Sequence, residues 1–189
     1  MAVTRRTEQP LALDEFLQLP EEKPALEYRD GVVKQKMAPL GEHSVLQSEL
    51  LRLLDRVALM GQIGKAFPEL RCTFDGASYV PDISVYRRER IPRTQTGRVA
   101  DHFLIPPDVA VEIRSPGQTT GALSKRCAWY VEHGVQVALL VDGRDESVLA
   151  FRPGKAVQTI RDQGMIELDE LTPGARLAVR EIFSALIID

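Results

Sequence analysis

The sequence predicts an α/β (α+β) fold in which a mixed central β-sheet is flanked by helices and preceded by a β-hairpin. Two segments carry apolar residues at helical spacing, several runs between them are β-type, and one run, QVALLVD, is almost wholly apolar. A strand covered by helices on both faces has that last composition. Alternation of such elements in one chain implies layers packed about a mixed sheet.

Residues 11–19 place Leu13, Phe16 and Leu17 at helical spacing and stop at Pro20, which predicts a short amphipathic helix. Leu26 to Met37 reads as a hairpin about Asp30-Gly31, a dipeptide that tolerates positive φ at both central turn positions. From His43 to Met60, Leu46, Leu50, Leu53, Leu54 and Val57 form one stripe and define a long helix. Beyond Gly61 and Gly64, three strands are expected over Ala66–Phe74, Tyr79–Tyr86 and Val109–Arg114. A second helix spans 121–133, with Leu123, Cys127, Tyr130 and Val131 on one face and Gly134 as its stop. QVALLVD and SVLAFRP then pair as strands, and the tail from Lys155 adds a peripheral hairpin and the closing segment EIFSALIID.

With 189 residues, 44% of them apolar and 27% charged, the chain has the make-up of one globular domain over 1–189. A net charge of −3 excludes a protein that coats nucleic acid through bulk positive charge, so any such contact needs a local basic patch. Cys72 and Cys127 have no zinc-type spacing and read as reduced, packed thiols. Arginines at positions 5 and 6 precede no continuous apolar stretch, and no segment has the length of a membrane span. A cytoplasmic location without membrane contact is the expectation.

Two carboxylates interrupt otherwise apolar β-type runs: Asp82 in YVPDISVY and Glu112 in DVAVEIRSPG. Burying a carboxylate is costly unless it is paired, hydrogen-bonded or bound to a metal. Either residue alone reads best as a turn cap or an arginine partner. Both together, at the ends of neighbouring expected strands, suit Mg²⁺, which takes few protein ligands and keeps waters that a phosphate can displace. Between them, RRERIPRTQTGR carries five arginines against one glutamate and reads as an exposed basic loop. Its Arg87, Arg88 and Arg90 are candidates for gripping a nucleic-acid backbone, with simple solvation as the plainer alternative. For His43 and Trp129, polar surface and core packing are the favoured readings.

VPDISVY, VAVEIRSPG, SKRCAWYVEHGVQVALLVD and LEYRDG, in that spacing, resemble the Uma-two family of restriction endonucleases, within the PD-(D/E)xK nuclease superfamily. The resemblance runs from about Leu26 to Asp142 and implies a restriction-endonuclease-like core. It also implies that Asp82 and Glu112 are metal ligands, Lys125 the basic catalytic residue and Glu27 an accessory acidic residue. Two positions after the glutamate, where many members carry lysine, this chain has Arg114. Strand alternation puts it on the face of Glu112, where a guanidinium clamps phosphate but cannot act as a base.

The function expected from these readings is metal-dependent hydrolysis of DNA phosphodiesters. Asp82, Glu112 and the Ile113 carbonyl would hold Mg²⁺, or Mn²⁺ in its place, with Lys125 supplying positive charge. A rival is a catalytically inactive nuclease-fold module that binds nucleic acid or a protein partner. A third reading, an enzyme acting on a small phosphorylated substrate, finds no phosphate-cradling glycine loop. A homodimer is expected, as is common among such nucleases, with IFSALIID as one shared surface.

Overall fold

The computed structural model describes residues 4–5, 11–60 and 63–187; the rest of Met1–Pro10, Gly61, Gln62, Ile188 and Asp189 lie outside them. In chain order, β1 (Thr4–Arg5) precedes α1 (Leu13–Phe16), and the hairpin β2 (Leu26–Arg29) and β3 (Val32–Gln35) leads into α2 (Gly41–Met60). Next come β4 (Gly64–Pro68), β5 (Cys72–Phe74), β6 (Ala77–Tyr79), β7 (Ile83–Arg87) and a single 3₁₀ turn, Arg88–Arg90. β8 (Val109–Ile113), α3 (Thr120–Glu132), β9 (Val137–Asp142) and β10 (Ser147–Phe151) complete the centre. β11 (Gln158–Arg161), β12 (Met165–Glu167), β13 (Arg176–Ala178) and α4 (Val179–Ser184) close the chain.

The mixed central sheet has the order β11-β10-β9-β8-β7-β4. Its β8–β9 pair is parallel, bridged by α3, and its other pairs are antiparallel. Strand alternation sends Val137, Leu139 and Val141 of β9 to one face, where α2 packs Leu46, Leu50, Leu53 and Leu54 against them. Ala138 and Leu140 point to the other face, against Leu123, Cys127 and Tyr130 of α3. All six residues of β9 are buried, as its apolar run implies. Among the described residues no helix is long and apolar enough to cross a membrane.

The Asp30-Gly31 hairpin forms as expected, with φ of +50° and +77° at the turn and Glu27 opposite Lys34. α3 also follows the sequence: the Thr119 hydroxyl accepts from the Ala122 N–H at its start. Gly134 ends it at φ +102°, close against Pro106. Cys72 and Cys127 are free and buried.

The expected strands Ala66–Phe74 and Tyr79–Tyr86 are each divided. β4 and β7 belong to the central sheet, whereas β5 and β6 join β1, β2 and β3 in a second, five-stranded sheet of order β1-β3-β2-β6-β5. Glu69, at φ +46°, turns the chain between β4 and β5. Pro81 interrupts the ladder between β6 and β7 because it has no N–H to contribute. The two sheets therefore share a corner at residues 80–82. The helix expected over 11–19 is a single turn, Leu13–Phe16, followed by turns.

The closing segment also departs from expectation. Ile182 and Phe183 of α4 are buried in this chain's own core, so they are not a free surface for a second subunit. Ile187 is exposed.

At the far end of β7, Asp108 is fully buried and accepts from the Arg87 N–H, from Arg87 Nε at 3.0 Å and from Arg90 Nη1 at 2.6 Å. Replacing Asp108 by alanine removes the buried acceptor shared by two guanidinium groups and a backbone donor. The expected cost, read by urea unfolding, is about 2–4 kcal/mol, discounted for the partial exposure of the arginines. A loss below about 0.5 kcal/mol, the range of ordinary surface changes, would show that the cluster is dispensable.

Candidate active site

The register of β7 on β8 pairs Ile83 with Val111, and one step further along brings Asp82 opposite Glu112. By strand alternation both carboxylates lie on the face covered by α3 and the second sheet. Asp82 is anchored by its Oδ2, which accepts from the Ile113 N–H at 2.6 Å, and by its backbone carbonyl, which accepts from Gln47 of α2 at 3.0 Å. Glu112 Oε1 accepts from the Tyr130 hydroxyl at 2.7 Å and lies 3.4 Å from Arg126 Nη1. Both residues open into a cleft of about 640 Å³ that is also lined by Glu27, Lys34, Lys36, His43, Ile113 and Lys125.

The hairpin docks on this cleft through Glu27. Its two carboxylate oxygens receive a bidentate pair from Arg126, at 2.6 and 3.0 Å, and Oε1 also accepts from the Val80 N–H. Lys36, just beyond β3, donates to the Val80 carbonyl at 2.8 Å and brings its ammonium within 2.6 Å of Asp82 Oδ1. His43, at the start of α2, stands 3.3 Å from the same oxygen through Nε2 and 2.9 Å from the Ser115 hydroxyl through Nδ1. An Nε2–H tautomer accounts for both contacts, with Ser115 donating. Oδ1 is nevertheless a buried oxygen without a well-aligned hydrogen bond.

Charge explains the electrostatics. Three carboxylates, Asp82, Glu112 and Glu27, share the buried floor with two cations, Lys36 and Arg126. Burial opposes ionisation of Asp82, but His43 and the Lys36 ammonium outweigh it and hold its carboxyl below the ordinary range. Glu112 goes the other way. Burial, reinforced by the charges of Asp82 and Glu27, pushes it up to about 7 despite Arg126 and Lys36. Burial lowers the Lys36 ammonium, and the surrounding carboxylates more than restore it, so it titrates above its usual value.

Of the residues expected from sequence, Asp82, Glu112, Glu27, Ile113 and Lys125 come together around this cleft. Lys125 is exposed at its rim. Arg114 does not join them. β8 ends at Ile113, and the Arg114 guanidinium crosses to the Asp142 carboxylate at the end of β9, at 2.9 and 3.0 Å, rather than sharing the face of Glu112. Arg87 and Arg90 are held by Asp108 at the opposite end of β7 from Asp82, and Arg88 lies in the intervening turn. The basic loop thus connects the carboxylate-bearing strands at the end remote from the carboxylates. Trp129 is core, stacked on His133 and edge-on to Tyr79.

Sequence reasoning missed Lys36, Arg126 and Tyr130 and undervalued His43. Two signals pointed to them. Once Glu27 is placed on the hairpin, alternation puts Lys34 and Lys36 on its face. In α3, Leu123, Arg126, Cys127 and Tyr130 follow i, i+3, i+4, i+7, so a guanidinium sits within the buried stripe.

Among the described residues no three His, Cys, Asp or Glu side chains form a ready metal cage. A closed zinc-type site is therefore not what the donors fit. A pair of carboxylates with one under-used, buried oxygen fits Mg²⁺, which binds through one or two carboxylates and completes its shell with water.

A mixed sheet flanked by helices, with paired carboxylates at the corner where two of its strands meet a second sheet, is the architecture of a nuclease fold. A crystal structure described as "a putative nuclease belonging to DUF820" from Anabaena variabilis superposes with a TM-score of 0.89. The two share 38% sequence identity over 94% of this chain and 100% of that one. The chain belongs to the Uma2 family, described as "Putative restriction endonuclease", whose sequence model matches residues 13–180. No curated protein matches it.

The raised Glu112 carboxyl makes a prediction about the metal-free protein. The folded state holds a proton that the unfolded chain releases near pH 4.3, so stability falls as pH rises from about 4.5 through 7. Glu112→Gln removes that loss. Above pH 7.5 the variant is expected to melt about 3 °C or more above the parent, the shift that ~1 kcal/mol gives in a domain of this size. Identical melting profiles for variant and parent from pH 5 to 8 would contradict the charge inventory.

Proposed function

We propose that this protein is a divalent-metal-dependent endonuclease that hydrolyses phosphodiester bonds in DNA. The observation that carries the reading is Asp82 Oδ1, a buried carboxylate oxygen without an aligned hydrogen bond, in the cleft it shares with Glu112. Asp82 and Glu112, with the Ile113 carbonyl, would hold Mg²⁺, or Mn²⁺ in its place. When bound, the ion supplies Lewis-acid charge to the phosphate and an activated water.

The chain's own residues do the rest. Ile113 and Gln47 fix the position of Asp82, and Tyr130 and Arg126 fix that of Glu112. Glu27 holds Arg126 in place. At the rim, Lys125 and Lys34 set positive charge where a phosphate backbone enters, whereas Arg114, Arg87 and Arg90 are engaged by Asp142 and Asp108 and do not line this cleft. Lys125 therefore acts on the charge of the transferring phosphate.

A second reading, a nuclease-fold module that binds nucleic acid without cutting it, draws on one observation: an ammonium already stands against the Asp82 oxygen.

Calorimetric metal titration paired with cleavage of supercoiled, linear and single-stranded DNA separates the two. Asp82→Ala is expected to lower both Mg²⁺ affinity and cleavage by at least about a hundredfold, because it removes an anionic ligand of a hard cation. Lys125→Ala keeps metal binding and slows cleavage by about tenfold or more. Arg114→Ala lowers the melting temperature and leaves both functions near the parent's. Mg²⁺ and DNA binding by the parent without cleavage of any of these substrates would establish the binding module instead.

A further inference from the structure

Resting on the metal-site reading above, we propose that Lys36 is the resting cation of this site: its ammonium stands where a divalent ion must bind and leaves when that ion enters.

Lys36 Nζ lies 2.6 Å from Asp82 Oδ1, the oxygen left without an aligned hydrogen bond. Mg²⁺ takes carboxylate oxygens at about 2.0–2.1 Å, so an ion on Oδ1 would stand no more than about 5 Å from the ammonium in its present place, and in this buried floor the two charges repel. The ammonium also has a well-aligned hydrogen bond to a neutral acceptor, the Val80 carbonyl. Its tie to Asp82 is a short charge-assisted contact, and charge is what an entering ion replaces.

The placement permits the exchange. The backbone of Lys36 is pinned by its N–H to the Ala25 carbonyl at 2.8 Å, so the hairpin need not move. The four-carbon stem lies along the cleft with the side chain 12% exposed, and the opening is lined by Lys34, Gln35 and Met37. Displacement turns the ammonium toward the solvent side of the cleft, where an incoming phosphate would lie. The chain thereby gains there the positive charge that Arg114, bound to Asp142, does not supply. In the absence of metal the Asp82 carboxylate also needs a counter-charge, and the Lys36 ammonium, with His43 beside it, faces it.

The test uses Lys36→Met, which keeps the stem and removes the charge, and Lys36→Gln, whose amide can still donate to the Val80 carbonyl. Lys65→Met on the exposed surface controls for loss of one positive charge. Calorimetry with Mn²⁺ and Mg²⁺ is expected to show at least about tenfold tighter binding for both Lys36 variants and no change for the control, the scale of removing a competing cation a few ångströms away. Without metal the Lys36 variants melt below the parent, and saturating Mg²⁺ closes that gap. Cleavage by the Lys36 variants falls even at saturating metal. Equal or weaker metal binding by both Lys36 variants, or equal tightening by Lys65→Met, overturns the proposal while a metal-binding, cleaving parent leaves the nuclease reading intact. A parent and Lys36 variants that fold but bind neither metal overturn both.

Discussion

The structure is organised by an excess of buried negative charge. Glu112 and Glu27 come from strands of two different sheets and Asp82 from the corner just before β7, yet they open into one cleft with side chains at most 5% exposed. Their mutual repulsion in a poorly hydrated floor must be offset, or the segments that carry them would separate. Arg126 offsets two of them and Lys36 the third. What is left over is the proton that Glu112 keeps to about pH 7 and the Asp82 oxygen that no aligned donor satisfies. Both are features that the proposed metal site would use.

The fold supplies this crowding by geometry. β4–β5 and β6–β7 are continuous chain that leaves one sheet and enters the other, and the break at Pro81 places Asp82 at the shared corner. β8 brings Glu112 alongside in antiparallel register, and α3, as the crossover between parallel β8 and β9, lays Arg126 and Tyr130 across it. The hairpin then closes the cleft from the other side through Glu27 and Lys36. Removing any one of these elements exposes a charge that the others are placed to meet. Membership in the Uma2 family agrees with the proposed reading, in which the anions would hold a metal and rim cations would meet the phosphate backbone.

Much of this was legible in the sequence because it follows from period and turn chemistry. The stripe through Leu46, Leu50, Leu53 and Leu54, the Asp30-Gly31 hairpin and the apolar β9 are local signals with one physical solution each. Asp82 and Glu112 stood out because a carboxylate in an apolar run demands an explanation. What was not legible was reach. Arg114, Arg87 and Arg90 each found a buried or nearly buried aspartate distant in sequence, Asp142 or Asp108, and composition cannot say which arginine is already taken. The division of two expected strands at Glu69 and Pro81 depends on a second sheet whose partners lie some fifty residues earlier in the chain. Lys36 and Arg126 are ordinary charged residues by composition and become significant only once Glu27 is docked against α3.

The central claim is that the floor of this cleft is a cation site shared in turn by Lys36 and a divalent metal. Anomalous diffraction from crystals soaked in Mn²⁺, compared with metal-free crystals, tests it most directly. The account predicts one strong peak within bonding distance of Asp82 Oδ1 and a Glu112 oxygen, with the Lys36 ammonium drawn away from Asp82. A Lys36 ammonium still in contact with Asp82 Oδ1 and no manganese between the two carboxylates, at concentrations that saturate the protein in solution, would contradict it.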